Sequence, residues 1–170
     1  MFNKKIKRQQ NLFKDIVLRY AKESHCLSKK VAAIAVKRGR IIATGINGTA
    51  EGLLNCDDFF KQEFIRLKIS KNKNITFKNW IKTEDWRKLH HEWSNENEIH
   101  AEQSLICEAS RNGINLTNVD IYISIEPCVH CSKLLAALKP KHIFYVNIYD
   151  KASIKSKELL KNAGIIIQKI

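Results

Sequence analysis

Two short runs of this chain can do chemistry together: His100-Ala101-Glu102 and, starting twenty-five positions after Glu102, Pro127-Cys128-Val129-His130-Cys131. One imidazole and two thiolates make three metal ligands. Zinc takes four, so such a set leaves one corner at which water is bound and made acidic near neutral pH. Glu102, two residues from the imidazole, is placed to shuttle a proton. Two thiolates and a neutral imidazole balance the charge of the ion, so negative charge can develop there without a large electrostatic penalty. The reaction this suits is hydrolytic loss of ammonia from an aromatic amidine. Glu102 takes a proton from water, gives it to the ring nitrogen and helps ammonia leave. A lone Cys-x-x-Cys is also found as a structural zinc knuckle or a redox pair, and His-x-Glu arises by chance. The two runs in this order, with Pro127 before the first cysteine, favour the catalytic reading. His130 is then read as a surface or packing histidine, because three ligands are already present. Cys107, among apolar residues, is read as a small core hydrophobe.

The elements that must position these residues are legible from periodicity. Residues 10–24, with Leu12, Phe13, Ile16, Val17 and Tyr20 at helical spacing, predict an amphipathic helix. Val31 to Val36 and Ile41 to Ile46 predict a β-hairpin turning at Gly39. Its apolar residues do not alternate cleanly, so both faces of the sheet should be covered. A helix is expected from Glu98 to Asn112, capped by Gly113, with Glu102 in its first turn. A strand follows from Val119 to Ile125. Pro127 opens a helix reaching Lys139, which sets Cys128 and Cys131 on one face near the positive end of the dipole. Lys141 to Ile148, Ser153 to Ala163 and Ile165 to Ile170 read as strand, helix and strand. The order ββαβαβαβ after a leading helix predicts a three-layer α/β/α domain with a central five-stranded mixed sheet, its last strands parallel.

Residues 57–90 differ in texture, holding Asp57-Asp58-Phe59-Phe60, the polar run Ser70-Lys71-Asn72-Lys73-Asn74, and Trp80 and Trp86. They read as an insertion packed on a single domain of residues 1–170, too short to build a core alone, with both tryptophans as packing anchors. The net charge is +13 and the isoelectric point near 9.6. Residues 1–40 carry twelve Lys or Arg against Asp15 and Glu23. Such a balance attracts anionic ligands, nucleotide phosphate or nucleic acid, and equally describes a solvated lysine-rich surface. No apolar run approaches a membrane span. The basic start has no apolar stretch after it, so a cytoplasmic protein with reduced cysteines is expected.

His-x-Glu followed by Pro-Cys-x-x-Cys is the signature of zinc deaminases, and the chain as a whole resembles the deoxycytidylate (dCMP) deaminases, closely the bacteriophage type with two zincs. The resemblance runs through Glu23-Ser24-His25-Cys26, Thr44-Gly45-Ile46-Asn47-Gly48, Asn55-Cys56-Asp57, Glu92-Trp93-Ser94, Asn97-Glu98-Ile99-His100-Ala101-Glu102, Arg111-Asn112-Gly113 and Tyr149-Asp150-Lys151. It implies a cytidine-deaminase-like fold and conversion of dCMP to dUMP for thymidylate synthesis. It implies one catalytic zinc and a second, structural zinc on Cys26, Cys56, His90 and Glu98, a set able to close a tetrahedral site. His91 competes with His90, and the spacing to Glu92-Trp93 selects His90. From residue types alone, two buried cysteines, an exposed His90 and a solvated Glu98 would be the simpler reading. Asn47 is implied as a grip on deoxyribose and base, Arg111 as a phosphate ligand, Tyr149 as an aromatic wall, and Ala101 as a further substrate contact. Implied also are dCTP as activator, dTTP as inhibitor and a homohexamer.

The family turn Gly-Tyr-Asn-Gly-x-Pro stands here with Ile46 and Ala50, near the site where those effectors bind. Ser104 takes the place of a usual asparagine, and Glu126 that of the serine often found before Pro-Cys. Glu-Pro-Cys is typical of base and tRNA deaminases, so dCTP, or a base in single-stranded nucleic acid or tRNA, is the alternative substrate. Trp80, Trp86 and Trp93 would then be the candidate stacking platforms.

Overall fold

The computed structural model describes residues 2–71, 74–149 and 154–170. Asn72 and Lys73 of the polar run, Asp150 and Lys151 of the Tyr149 motif, and Ser153 at the expected start of the last helix lie outside them. In chain order the elements are α1 (Phe2–Ala21), β1 (Ala32–Lys37), β2 (Arg40–Ile46), β3 (Gly48–Thr49), α2 (Cys56–Lys71), α3 (Phe77–Trp80), α4 (Glu84–Asn97), β4 (Glu98–Ile99), α5 (Ala101–Arg111), β5 (Asp120–Ile125), α6 (Val129–Leu138), β6 (His142–Asn147), α7 (Ile154–Asn162) and β7 (Ile166–Lys169). They divide into two compact units, one of residues 1–24, 31–47 and 100–170, the other of His25–Lys30 and Gly48–Ile99.

In the first unit one sheet runs in the order β2-β1-β5-β6-β7. The pairs β1/β2 and β1/β5 are antiparallel, while β5/β6 and β6/β7 are parallel. This is the expected mixed sheet with parallel closing strands. Arg38 (φ 52°) and Gly39 (φ 75°) both take the left-handed conformation in the β1–β2 turn, which matches the twist of a two-residue hairpin. Phe13, Val17 and Ala21 of α1 cover one sheet face through Ala32, Ile34, Val36, Tyr122, Phe144 and Val146. Leu105 and Ala109 of α5, Leu135 of α6 and Leu160 of α7 cover the other, on Ala33, Ala35, Ala43, Ile121, Ile123 and Ile143. Helices on both faces are why β1 reads as an unbroken apolar run.

Two boundaries differ from expectation. Helix α1 begins at Phe2, well before residue 10, because lysine, arginine and glutamine propagate a helix without an apolar stripe. Helix α5 begins at Ala101, three residues later than expected, since Glu98 and Ile99 pair with Thr49 and Gly48 as an extended ladder. Cys107 is exposed on α5 and is no core residue; its position falls on the solvent side of the stripe formed by Ala101, Leu105 and Ala109.

The second unit has an apolar cluster of its own, which residues of the 57–90 segment build together with Cys26, Cys56 and Trp93 from outside it. Phe60 (fully buried), Trp80, Trp86, Cys26 and Cys56 form its centre, with Phe59, Phe64, Phe77 and Trp93 packed around them. Phe60 meets Trp86, Trp93 and the His90 ring within 5.6 Å of its own centroid. Aromatic rings bury much area per residue, so a short segment suffices. Thr76 and Thr83 cap α3 and α4 by accepting from the Asn79 and Trp86 amides.

Candidate active site

In the first unit the candidate residues gather at one edge of the sheet. Because β2, β5 and β6 point the same way, Asn47 after β2, Cys128 after β5 and Tyr149 after β6 all lie at the edge where these strands end. Open α/β sheets bind ligands at such an edge. His100 is the N-cap of α5 and Cys128 the N-cap of α6, so both helices present their positive ends there. Cys128 thus precedes the first turn instead of lying within it. His100 is held by its own N–H, which donates to Gln103 Oε1 at 2.8 Å.

His100 Nδ1 lies 3.6 Å from Cys128 Sγ and 3.3 Å from Cys131 Sγ, and the ligand atoms of the three lie within 4.8 Å of one another. Zinc bound tetrahedrally, with Zn–S near 2.3 Å and Zn–N near 2.0–2.1 Å, needs an S···N edge of about 3.6 Å. The trio therefore fits zinc with one corner left over. Cys131 is buried and His100 exposed, so the group is open on one side. The Cys131 thiol, hydrogen-bonded to Cys128, holds the Cys128 pKa down to about 3 against the opposing effect of burial. Cys131 itself is pushed up by that same interaction and by burial.

Glu102 is 4% exposed in the first turn of α5. Burial pushes its carboxyl above the ordinary range, which suits a group that must both take and give a proton near neutral pH. Asn47 is also buried, and its Oδ1 accepts from the Val31 N–H at 2.8 Å. Ser24 Oγ donates to the Asn47 carbonyl at 2.9 Å. Arg111 is not brought to this edge: as the last residue of α5 it lies about 15 Å along the helix from Ala101. His130 is on the surface, as expected.

A second group lies in the other unit. Cys26, Cys56, His90 and Glu98 place their ligand atoms within 4.8 Å of one another. His90 Nε2 is 3.5 Å from Cys26 Sγ and 3.4 Å from Cys56 Sγ, again the tetrahedral edge. His90 is buried and Glu98 half-buried, contrary to the simpler reading, while His91 is exposed. Burial, and next the charge of Cys26, push the Glu98 carboxyl up. Ser94 Oγ donates to Glu98 Oε2 at 2.8 Å, whereas the buried Oε1 has no hydrogen-bond partner among the described residues. Cys26 is held down to about 3, first by the Cys56 thiol. A donor set of two thiolates, an imidazole and a carboxylate is one that could close a tetrahedral zinc site with no spare corner.

The sequence reading missed Gly45. A Cβ there would lie 2.3 Å from Ala101 O and 2.3 Å from Leu105 N, so α5 rests its first turns directly on β2. A single glycine inside a strand pattern marks such close approach. Ser124 was also missed; its Oγ accepts from the Ala32 N–H at 2.9 Å and ties β1 to β5.

Comparison with known proteins identifies the family. Residues 7–147 match the model of the cytidine and deoxycytidylate deaminase zinc-binding region. The chain belongs to this family. Deoxycytidylate deaminase of Enterobacteria phage T2 is 36% identical over 156 residues, 85% of this chain and 83% of the relative. Its counterpart in Enterobacteria phage T4 is 35% identical over 156 residues, 85% and 81%. The dCMP deaminase of cyanophage S-TIM5, in a crystal structure with dCMP and dUMP, shares the fold at a TM-score of 0.66 with 23% identity, covering 95% of this chain and 96% of that one. The family's zinc-binding character agrees with the donor sets of both groups.

Proposed function

We propose that the chain catalyses zinc-dependent hydrolysis of dCMP to dUMP and ammonia, supplying dUMP for dTMP synthesis. The observation that carries this is the buried Glu102 beside a three-donor metal group at the sheet edge, in a family member 36% identical to a deoxycytidylate deaminase over most of both chains. His100, Cys128 and Cys131 would hold the zinc. When bound, the metal supplies the Lewis acidity that makes water a nucleophile near neutral pH. Glu102 would accept a proton from the attacking water and deliver it to ring N3 as the C4–O bond forms, then take the second proton from the oxygen now on C4 and hand it to N4 as the C4–N4 bond breaks and ammonia leaves. Its burial keeps bulk water from competing for the proton.

Asn47, its side chain steadied by Val31, serves the deoxyribose and base. Ala101 has a fully buried side chain, so its contact is through the main chain. Tyr149 walls the pyrimidine. Arg111 serves the phosphate from another subunit of a homohexamer, since in its own chain it sits at the far end of α5. Cys26, Cys56, His90 and Glu98 hold a second, structural zinc whose binding contributes to folding. The whole acts as one deaminase-type domain in the cytoplasm, activated by dCTP and inhibited by dTTP. Among the described residues no helix is long and apolar enough to cross a membrane.

The +13 charge favours a second reading, with dCTP or a base of single-stranded nucleic acid as substrate. Against it, Trp80 and Trp86 are buried and Trp93 already stacks on Phe59 at 4.9 Å. Ammonia release measured with dCMP, dCTP, deoxycytidine and single-stranded DNA, each with and without effectors, tests the assignment. Activity on the oligonucleotide but not on dCMP would reverse it.

A further inference from the structure

Glu126 lies two residues before Cys128 and is 4% exposed. Its Oε1 is 3.0 Å from Lys157 Nζ. Its Oε2 is buried and has no hydrogen-bond partner among the described residues, so Lys157 is the ion-pair partner of this carboxylate among the described residues. Lys157 comes from α7, beyond the 7–147 span matched by the family model. Its Nζ also lies 5.4 Å from the centre of the Tyr145 ring, a cation–π distance. Three residues on, the fully buried Leu160 seats the same flank of α7 in the core. The lysine is thereby aimed from a fixed helix.

The other side of the turn is stitched to β6. The Glu126 N–H donates to the Asn147 carbonyl at 2.8 Å, and Asn147 Nδ2 donates to the Ser124 carbonyl at 3.0 Å. The fully buried Pro127, with its fixed φ, joins this clamp to Cys128. We propose that Lys157 is a positioning residue for the metal-binding turn, acting through Glu126 to hold Cys128 where His100 and Cys131 can share an ion with it. This rests on reading those three residues as a zinc site.

A buried carboxylate stripped of its counter-charge is strongly unfavourable, whereas removing both charges is far less so. The turn should therefore yield when Lys157 alone is lost and recover in part when Glu126 is neutralised as well. Outer partners of metal ligands typically contribute roughly 10- to 100-fold in affinity or activity.

The test uses the zinc-loaded protein and its K157M, E126Q and K157M/E126Q variants. Rising chelator is combined with thiol alkylation, read by peptide mass mapping. Protection of Cys128 and Cys131 reports the site in question, and protection of Cys26 and Cys56 is the internal reference. In K157M the chelator midpoint at Cys128 and Cys131 should fall about tenfold or more. The midpoint at Cys26 and Cys56 should stay, and the double variant should lie between K157M and wild type. Turnover of dCMP should lose kcat with KM unchanged. An unchanged midpoint at Cys128 and Cys131 in K157M, whatever happens to thermal stability, overturns the positioning role. If K157M does not fold, the double variant decides: a lowered midpoint supports the proposal and a wild-type midpoint overturns it. Absence of zinc-dependent protection at these cysteines in the unmutated protein overturns the metal reading itself, and this proposal with it.

Discussion

Replacing Gly45 with alanine inserts one methyl group between β2 and α5. Its carbon would lie 2.3 Å from both Ala101 O and Leu105 N, and ordinary contact begins at 3.4 Å. Both obstacles are backbone atoms, so no rotamer change can relieve the clash. The first turns of α5 must move off the strand by about 1.1 Å, the difference of those two distances. Overpacking of this kind destabilises by about 3 kcal/mol at the upper end of its range, which lowers the melting temperature of a chain this size by roughly 6–12 °C. The same displacement carries His100 and Glu102, and about 1 Å of misplacement costs on the order of 100-fold in rate. Ammonia release from dCMP and thermal unfolding of Gly45→Ala measure both effects. Gly113→Ala is the control. Its Cβ meets nothing within 4 Å, but φ is +64°, so it should lower stability by roughly 1–2 kcal/mol and leave kcat unchanged. If Gly45→Ala turns over within twofold of wild type, the close approach of α5 to β2 does not position the site.

Glu102→Ala should retain both metals and lose on the order of 10⁴-fold in kcat; turnover near wild type in a steady-state assay removes Glu102 as the proton carrier. Metal analysis should find two zincs per chain, falling to one when Cys26 and Cys56 are both changed to serine. A single equivalent indifferent to that change rules out the second site. Burial, followed by the charge of Asp120, pushes Tyr122 from 10.0 up to about 12. Because the folded state holds this proton more tightly, the stabilisation is fully present below pH 10. It is lost between pH 10 and 12, amounting to about 3 kcal/mol. Denaturant titrations of Tyr122→Phe should lack this alkaline step, and an identical pH profile in the variant would refute the assignment.

The three-donor group and the carboxylate beside it were legible because their spacing is local. Two cysteines three apart at a helix start, and a glutamate two after a histidine, must share a neighbourhood whatever the rest of the chain does. The hairpin at Arg38-Gly39 and the alternation of strands and helices were legible for the same reason. Glu98 was assigned to the wrong element because a two-residue ladder with Thr49 outcompetes an extra helical turn, and the partner strand lies far back in sequence. Cys107 was misread because apolar neighbours in sequence are not neighbours on a helix surface.

The sequence by itself therefore determined the three-donor group, the glutamate beside it and the layer order, since each follows from side-chain type and from periods of two or 3.6 residues. Only the tertiary structure decided that Cys26, Cys56, His90 and Glu98 meet within 4.8 Å, that Gly45 carries α5, and that Lys157 reaches Glu126. Those meetings depend on how separate elements pack across long loops, where closure costs chain entropy and leaves no local chemical signal.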